Sequence, residues 1–250
     1  MIKTLFDDSA ITIYIKNLRS TEKILCIEYK PSSKLEARYL PLTPLPNSFL
    51  KEKSVPKQSQ RVVLFENING ESLISLIKKV DFILNSEHFL DIAIALVTTI
   101  KELQDSEHSI DVLNAKTIFI LNNTQIKLLH NGYLSSKNHY EMFFDSYFSP
   151  EQRRKIKHPI DFRSTMYSLG TIFYEMLEKE VPKEGCKSSL VFSQTIPISL
   201  TLIIEKLLNI FPEDRYQSYF GLLDDLRRCQ DEIRSTGTIS EFFPGITDKP

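Results

Sequence analysis

Apolar positions follow two rhythms along this chain, and the change from one to the other sets the expected architecture. In the first 66 residues the apolar runs are short and rich in β-branched and aromatic side chains: ITIYIK at 11–16, ILCIEYK at 24–30 and RVVLFE at 61–66. Each has the character of a strand. Between the second and third runs the chain carries prolines at 41, 44, 46 and 56, too many for a long helix, and reads as an extended connection.

After Asn67-Ile68-Asn69-Gly70, which is turn chemistry, the period lengthens. Residues 71–80 are expected to be helical, and 87–103 give the cleanest pattern. There Phe89, Ile92, Ala93, Leu96, Val97, Ile100 and Leu103 repeat at three- and four-residue steps along one face. Thr117–Leu121 and Gln125–Leu129 return to strand character around Asn122-Asn123-Thr124, a hairpin signal. Further helices are predicted over 161–179, 199–209 and 218–235, the second introduced by Pro197 and stopped before Pro212. Phe162, Met166, Leu169, Phe173, Met176 and Leu177 share one face of the first of these. Ile160, Tyr167, Ile172 and Tyr174 make other sides apolar too, so this helix should lie deep, with Asp161 as its N-cap. Strands first and helices later predict an α+β chain, with a β-rich region at 1–66, a helical region at 67–235 and a linker at 236–250.

Composition narrows the function classes. At 250 residues, 42% hydrophobic and 25% charged, the chain has ordinary globular values and length for a sizeable core. A net charge of −1 gives no global field toward nucleic acid, and the basic run Arg153-Arg154-Lys155 with Lys157 and His158 reads as a solvated loop. Cys26, Cys186 and Cys229 are far apart and unpatterned, which predicts a reduced, cytosolic protein without metal. His88, His108, His130, His139 and His158 show no metal spacing with Cys or carboxylates. No apolar run approaches the ~20 residues a membrane span needs, and the N-terminus lacks a signal-peptide core.

Two blocks carry a resemblance. Ser149-Pro150-Glu151-Gln152, followed by DFRSTMYSLGTIFYEML at 161–177, is similar to the end of a protein kinase activation segment and the helix after it. IIEKLLNIFPEDRYQSYFGLLDDLRRC at 203–229 resembles the last helices of the same fold. The wording is nearest to the kinase-like domain at the N-terminus of long hybrid histidine kinases, notably fungal stress sensors. The resemblance implies a two-lobed, protein-kinase-like fold with a reduced N-lobe. It also implies a buried ion pair between Glu151 and Arg215, and a tail, 237–248, that packs only partly and leads toward an ATPase-like region.

Phosphoryl transfer in such a fold needs a glycine-rich loop, a strand lysine, an acceptor-orienting Asp, and an Asn and Asp for magnesium. All seven glycines lie at 70 or later, so the loop is missing. Lys30 is the candidate strand lysine and cofactor contact, or else a solvated strand end. Its partner glutamate has no helix to stand on, Glu36 aside. In the register the resemblance implies, Ile110-Asp111-Val112 meets His-Arg-Asp, so Val112 replaces the catalytic Asp and Thr117 the metal-binding Asn. Shifting by one promotes Asp111 but sets Lys116 at the metal. Thirteen residues after Thr117, His130-Asn131-Gly132 occupies the Asp-Phe-Gly slot; Gly132 fits, and His130 cannot replace an anionic oxygen for a hard cation. Thr165 stands where the helix usually carries an Asp.

The expectation is therefore a pseudokinase: a regulatory or interaction domain with no catalytic residue and no bound cofactor. ATP and magnesium would belong to other parts of a sensor that feeds stress, including peroxide, into a phosphorelay and a MAP kinase pathway. Its partners would be proteins or further domains of the same polypeptide, not nucleic acid or membrane. Two alternatives stand beside it: an unorthodox Ser/Thr kinase using Asp111, Glu107 or Asp145, and an unrelated scaffold that imitates the two blocks.

Overall fold

The structure, a computed structural model, describes residues 2–7, 11–17, 23–29, 52–54, 62–67, 70–79, 84–106, 113–121, 125–129, 145–183, 190–193 and 195–249. They are of mixed strand and helix and fall into two compact units. One lies within 1–76 and 115–143, the other within 77–114 and 144–250.

The first unit is antiparallel throughout. Strands β1 (Ile2–Asp7), β2 (Ile11–Asn17), β3 (Lys23–Tyr29), β4 (Glu52–Ser54) and β5 (Val62–Asn67) form a five-stranded sheet in the order β1-β2-β3-β5-β4. The β2–β3 ladder runs unbroken from Ile11 opposite Tyr29 to Asn17 opposite Lys23, and Cys26 within it is buried. The proline-broken stretch thus contributes a short edge strand, a pairing that periodicity alone did not predict.

A second sheet of the same unit contains β6 (Gly70–Ser72), β7 (Ile118–Leu121) and β8 (Gln125–Leu128) in that order. Gly70 lies opposite Leu121, and a Cβ there would sit 2.4 Å from the carbonyl oxygen of Ile120. That approach admits glycine alone. Residues 70–72 are therefore strand where a helix was expected, and the helix that follows is the short α1 (Leu73–Ile77). The hydroxyl of Ser72 accepts from the Ser75 amide at its start. Because β6 pairs with β7, the compact units divide differently from the expected partition at 66/67. Residues 70–76 and the hairpin side with the first sheet.

The second unit is built on α2 (Ser86–Asp105), α3 (Phe162–Glu178), α4 (Ile198–Leu207) and α5 (Tyr219–Thr236). Asn85 caps α2 by accepting from the His88 amide at 2.8 Å, and the predicted stripe from Phe89 to Leu103 is buried. Phe89 meets Phe173 of α3 edge-on, with ring centroids 5.5 Å apart. Asp91 ties α2 to α5 by accepting from Gln230 (2.7 Å) and Arg234 (2.6 Å). As expected, α3 is buried on nearly all sides, from Met166 to Leu177. Ile160 is a correction: it precedes the N-cap, lies outside the helix and is 66% exposed. No helix among the described residues is long and apolar enough to cross a membrane.

Gly170 marks where α3 and α4 press together, since an added Cβ would meet Leu207 Cβ at 2.8 Å and Leu208 Cγ at 2.9 Å. Alanine raises helix propensity by up to ~1 kcal/mol, yet overpacking a tight crossing costs about 1–3 kcal/mol. Gly170→Ala should therefore lower the urea midpoint of the chain, whereas propensity alone would raise it.

Candidate functional site

A densely hydrogen-bonded polar site forms where one face of α3 meets the turn before it. Ser164, Ser168, Thr171 and Glu175 recur at helical spacing inside the otherwise apolar helix, and all four are buried. Buried polar groups need partners. Ser168 donates to the Tyr147 carbonyl at 2.9 Å, and the Tyr147 hydroxyl donates to Glu175 Oε2 at 2.6 Å. Ser164 donates to Glu151 Oε1 at 2.7 Å. These contacts fasten residues 147–151 along about three turns of helix.

Ser149-Pro150-Glu151-Gln152 is itself a closed turn. The Ser149 amide and hydroxyl donate to Gln152 Oε1 at 3.0 and 3.1 Å, and the Gln152 amide returns a weaker contact to Ser149 Oγ at 3.4 Å. That reciprocity is the capping-box arrangement of Ser and Gln three residues apart. The amides of Arg153 and Lys155 then donate to the carbonyls of Ser149 and Pro150, and Arg154 leaves the turn in the left-handed region (φ 57).

Into this turn Arg215 brings a guanidinium with no solvent exposure. Its Nη1 and Nη2 donate to the two oxygens of Glu151 at 2.7 and 2.9 Å, a bidentate fork. The remaining N–H groups reach backbone carbonyls: Arg163 at 2.8 Å, Ile210 at 3.0 Å and, from Nε, Asn209 at 2.8 Å. An arginine side chain has five such donors, and here every one is used. The cation also lies 5.1 Å from the ring centre of Tyr167. Burial works against the Glu151 charge, but hydrogen bonds from Arg215 and Ser164 and the Arg215 charge outweigh it, holding the carboxyl at about 2.

A second polar cluster begins at the residue after Arg215. Buried Tyr216 donates to Asp225 Oδ2 at 2.7 Å, and the Gly245 amide donates to the same oxygen at 2.6 Å. Burial raises the Tyr216 hydroxyl well above its ordinary value, with the Asp225 charge adding to it. Burial also raises Asp225; the Tyr216 and Gly245 donors oppose that, and Asp224 and Asp248 add to it.

The residues singled out from sequence fall into four groups. Glu151 and Arg215 meet. Asp161 caps α3, accepting from the Arg163 amide at 2.8 Å and gripping the Arg163 guanidinium. Thr117 is buried in the first unit, its carbonyl accepting from Leu129 at 2.8 Å, while half-buried Thr165 in the second unit hydrogen-bonds Tyr219. Lys30, Glu36, Glu107, Asp111, Val112, His130 and Gly132 lie outside the described residues. Sequence reasoning passed over Ser164, Ser168, Glu175, Tyr216, Asp225 and Asp248. For the α3 group a signal existed, three hydroxyls and a carboxylate in register along an apolar helix; for Asp225 and Asp248 there was none. Among the described residues no group of three or more His, Cys, Asp or Glu is placed to hold a metal ion.

No family model matches the chain. Parts of it are similar to signalling kinases. Over 94 residues it is 38% identical to Hybrid signal transduction histidine kinase G of Dictyostelium discoideum, a match spanning 32% of this chain and 3% of that protein. Over 117 residues it is 28% identical to Peroxide stress-activated histidine kinase mak3 of Schizosaccharomyces pombe, spanning 42% of this chain and 5% of that one. A "Probable serine/threonine-protein kinase" of Clostridium acetobutylicum is 32% identical over 94 residues, spanning 32% of this chain and 14% of its own. The matched segment is thus a small fraction of each relative's length. The chain is related, over part of its length, to histidine and serine/threonine kinases.

The lowered Glu151 value fixes a pH dependence. A carboxylate held below its ordinary 4.5 stabilises the fold fully above that pH and loses the contribution as pH falls toward about 2. A shift of that size corresponds to ~3 kcal/mol. In urea titrations Glu151→Gln should be clearly less stable than the native chain at neutral pH, and the gap should narrow across that acid window. A gap independent of pH would remove the ionised pair from the account.

Proposed function

We propose that this chain carries a kinase-like regulatory and interaction domain that has lost phosphoryl transfer. It would be two-lobed and form part of a larger cytoplasmic sensor histidine kinase, in a stress-responsive phosphorelay upstream of a MAP kinase pathway. The observation that carries this reading is a contrast within the same resemblance. The scaffold residues it names are joined in a fully satisfied buried pair, Glu151 with Arg215. The chemical positions it names hold Val112, Thr117, His130 and Thr165. Similarity to two histidine kinases, one named for peroxide stress, supports the larger setting.

The chemistry explains why those replacements matter together. Phosphoryl transfer relies on several positioned charges around one or two magnesium ions. With no glycine before residue 70, backbone cannot come close to the phosphates from the first strands. A histidine in place of the metal carboxylate and a valine in place of the acceptor-orienting Asp remove the anionic ligand and the hydroxyl's hydrogen-bond acceptor at once. What remains is a surface on a rigid frame, suited to protein partners or neighbouring domains. The clostridial relative favours a second reading, a serine/threonine kinase working through Asp111 in the shifted register.

Thermal melting with and without Mg-ATP separates the two. Saturation at about 100 times a dissociation constant would add ~2.7 kcal/mol to the folded state and raise the melting temperature by several degrees. The expected result is no magnesium-dependent rise and no phosphate transfer to a generic substrate. A clear rise would end the claim that nucleotide is not bound, and transfer abolished by Asp111→Asn would establish the second reading.

A further inference from the structure

The segment after α5, expected to be a partly packed linker, is bound to the second unit along most of its length. Gly237 closes the helix in the left-handed region (φ 77), and the chain then runs back along α5 from its C-terminal end to its start. The anchor points follow one another in order. The amide and hydroxyl of Ser240 both donate to Glu232 Oε2 at 2.7 Å. Phe242 is buried beneath the Arg228 guanidinium, 4.1 Å from its ring centre, and its amide donates to Ser199 of α4 at 3.0 Å. Ser199 in turn donates to the Ser240 carbonyl at 2.7 Å. Gly245 donates to Asp225, and Thr247 to Asp224 at 2.7 Å.

The last anchor reaches the loop that carries the buried pair. Asp248 accepts from the Gln217 amide at 2.7 Å and from the Ser218 hydroxyl at 2.8 Å, and Ser218 is the N-cap of α5. The Gln217 side chain donates to the carbonyls of Pro212, Glu213 and Arg215 at 3.0, 3.1 and 2.8 Å. Arg163, whose carbonyl accepts from Arg215, also reaches Gln217 Oε1 at 3.5 Å. Residues 215–218 are thus held from one side by Glu151 and from the other by the returning segment. Tyr216, between them, shares Asp225 Oδ2 with Gly245.

We propose that residues 238–249 form a conformational strap whose seating on α5 sets how firmly the Arg215 loop holds the Glu151 turn. Seated, the strap satisfies the Gln217 amide and steadies the start of α5. Lifted, it takes the acceptor from that amide and the Gly245 donor from the Asp225 oxygen that Tyr216 shares, so residues 215–218 can open locally. The loss then reaches the 149–156 turn through Arg215. A force or partner acting on Phe243 and Ile246, which the strap leaves 79% and 73% exposed, would be felt at that turn. This coupling is independent of whether the domain binds nucleotide, and it gives a regulatory domain a built-in input.

Amide hydrogen exchange on the 250-residue chain tests it, read at peptides covering 149–156 and 215–221. Asp248→Ala should speed exchange in both, by at least about threefold at the amides of Arg153, Arg154 and Lys155. Asp91→Ala, which removes the Asp91 hydrogen bonds to Gln230 and Arg234 of α5, should leave 149–156 unchanged. Faster exchange at 215–221 alone overturns the proposal, as does equal acceleration of 149–156 by both substitutions. Should Asp248→Ala fail to fold, Asp248→Asn and Thr247→Val are read by the same criteria.

Discussion

A guanidinium without solvent exposure is the constraint on which the helical unit depends. Removing an unpaired charge from water costs several kcal/mol, so the fold must surround Arg215 with acceptors or not form. It does so with one carboxylate and three backbone carbonyls, drawn from the 149–152 turn, the start of α3 and the loop after α4. Each of those segments is positioned by the same act. The capping-box turn presents Glu151, Ser164 orients it, and Tyr167 lies against the cation. The pair therefore contributes specificity of arrangement more than net stability, because a well-packed apolar replacement would avoid the desolvation cost altogether.

That arrangement bears on the proposed function, in which the frame is kept and phosphoryl transfer is lost. Glu151 is lowered and Asp225 is raised. Both are buried carboxylates committed to structural donors: the donors and the Arg215 charge lower Glu151 against burial, whereas burial raises Asp225 against its donors. A perturbed carboxylate often marks an active site, but ion-pair networks perturb equally, and here the partners identify the second case. A rigid turn backed by a charged network, with a strap returning to the same loop, suits a domain that transmits state to its neighbours.

Much of the helical unit was legible in the sequence, and the first unit less so. The stripes over 89–103 and 162–177 have enough turns for the helical period to dominate, and Asn85 and Asp161 cap their helices through ordinary side-chain acceptors. Short strands give no such redundancy. β4, with the sequence EKS, is a strand because β5 lies beside it. β6 likewise takes its form from β7, against a local preference for turn and helix. The Glu151–Arg215 pair was legible only through wording shared with a family, since 64 residues separate the partners and no periodicity links them. Asp248 was illegible for the same reason in stronger form: it looked like tail chemistry until the loop before α5 supplied the donors.

The dependence of the helical unit on the buried pair is tested most directly by a double-mutant cycle in urea, using Glu151→Met, Arg215→Met and the two together. Each single change leaves a buried charge unmatched and should cost ~3–5 kcal/mol. The double removes both charges, so it should cost less than the sum, with a coupling on the order of 2–3 kcal/mol. A double variant whose loss equals the sum of the singles would show that the two side chains act independently and would contradict the account.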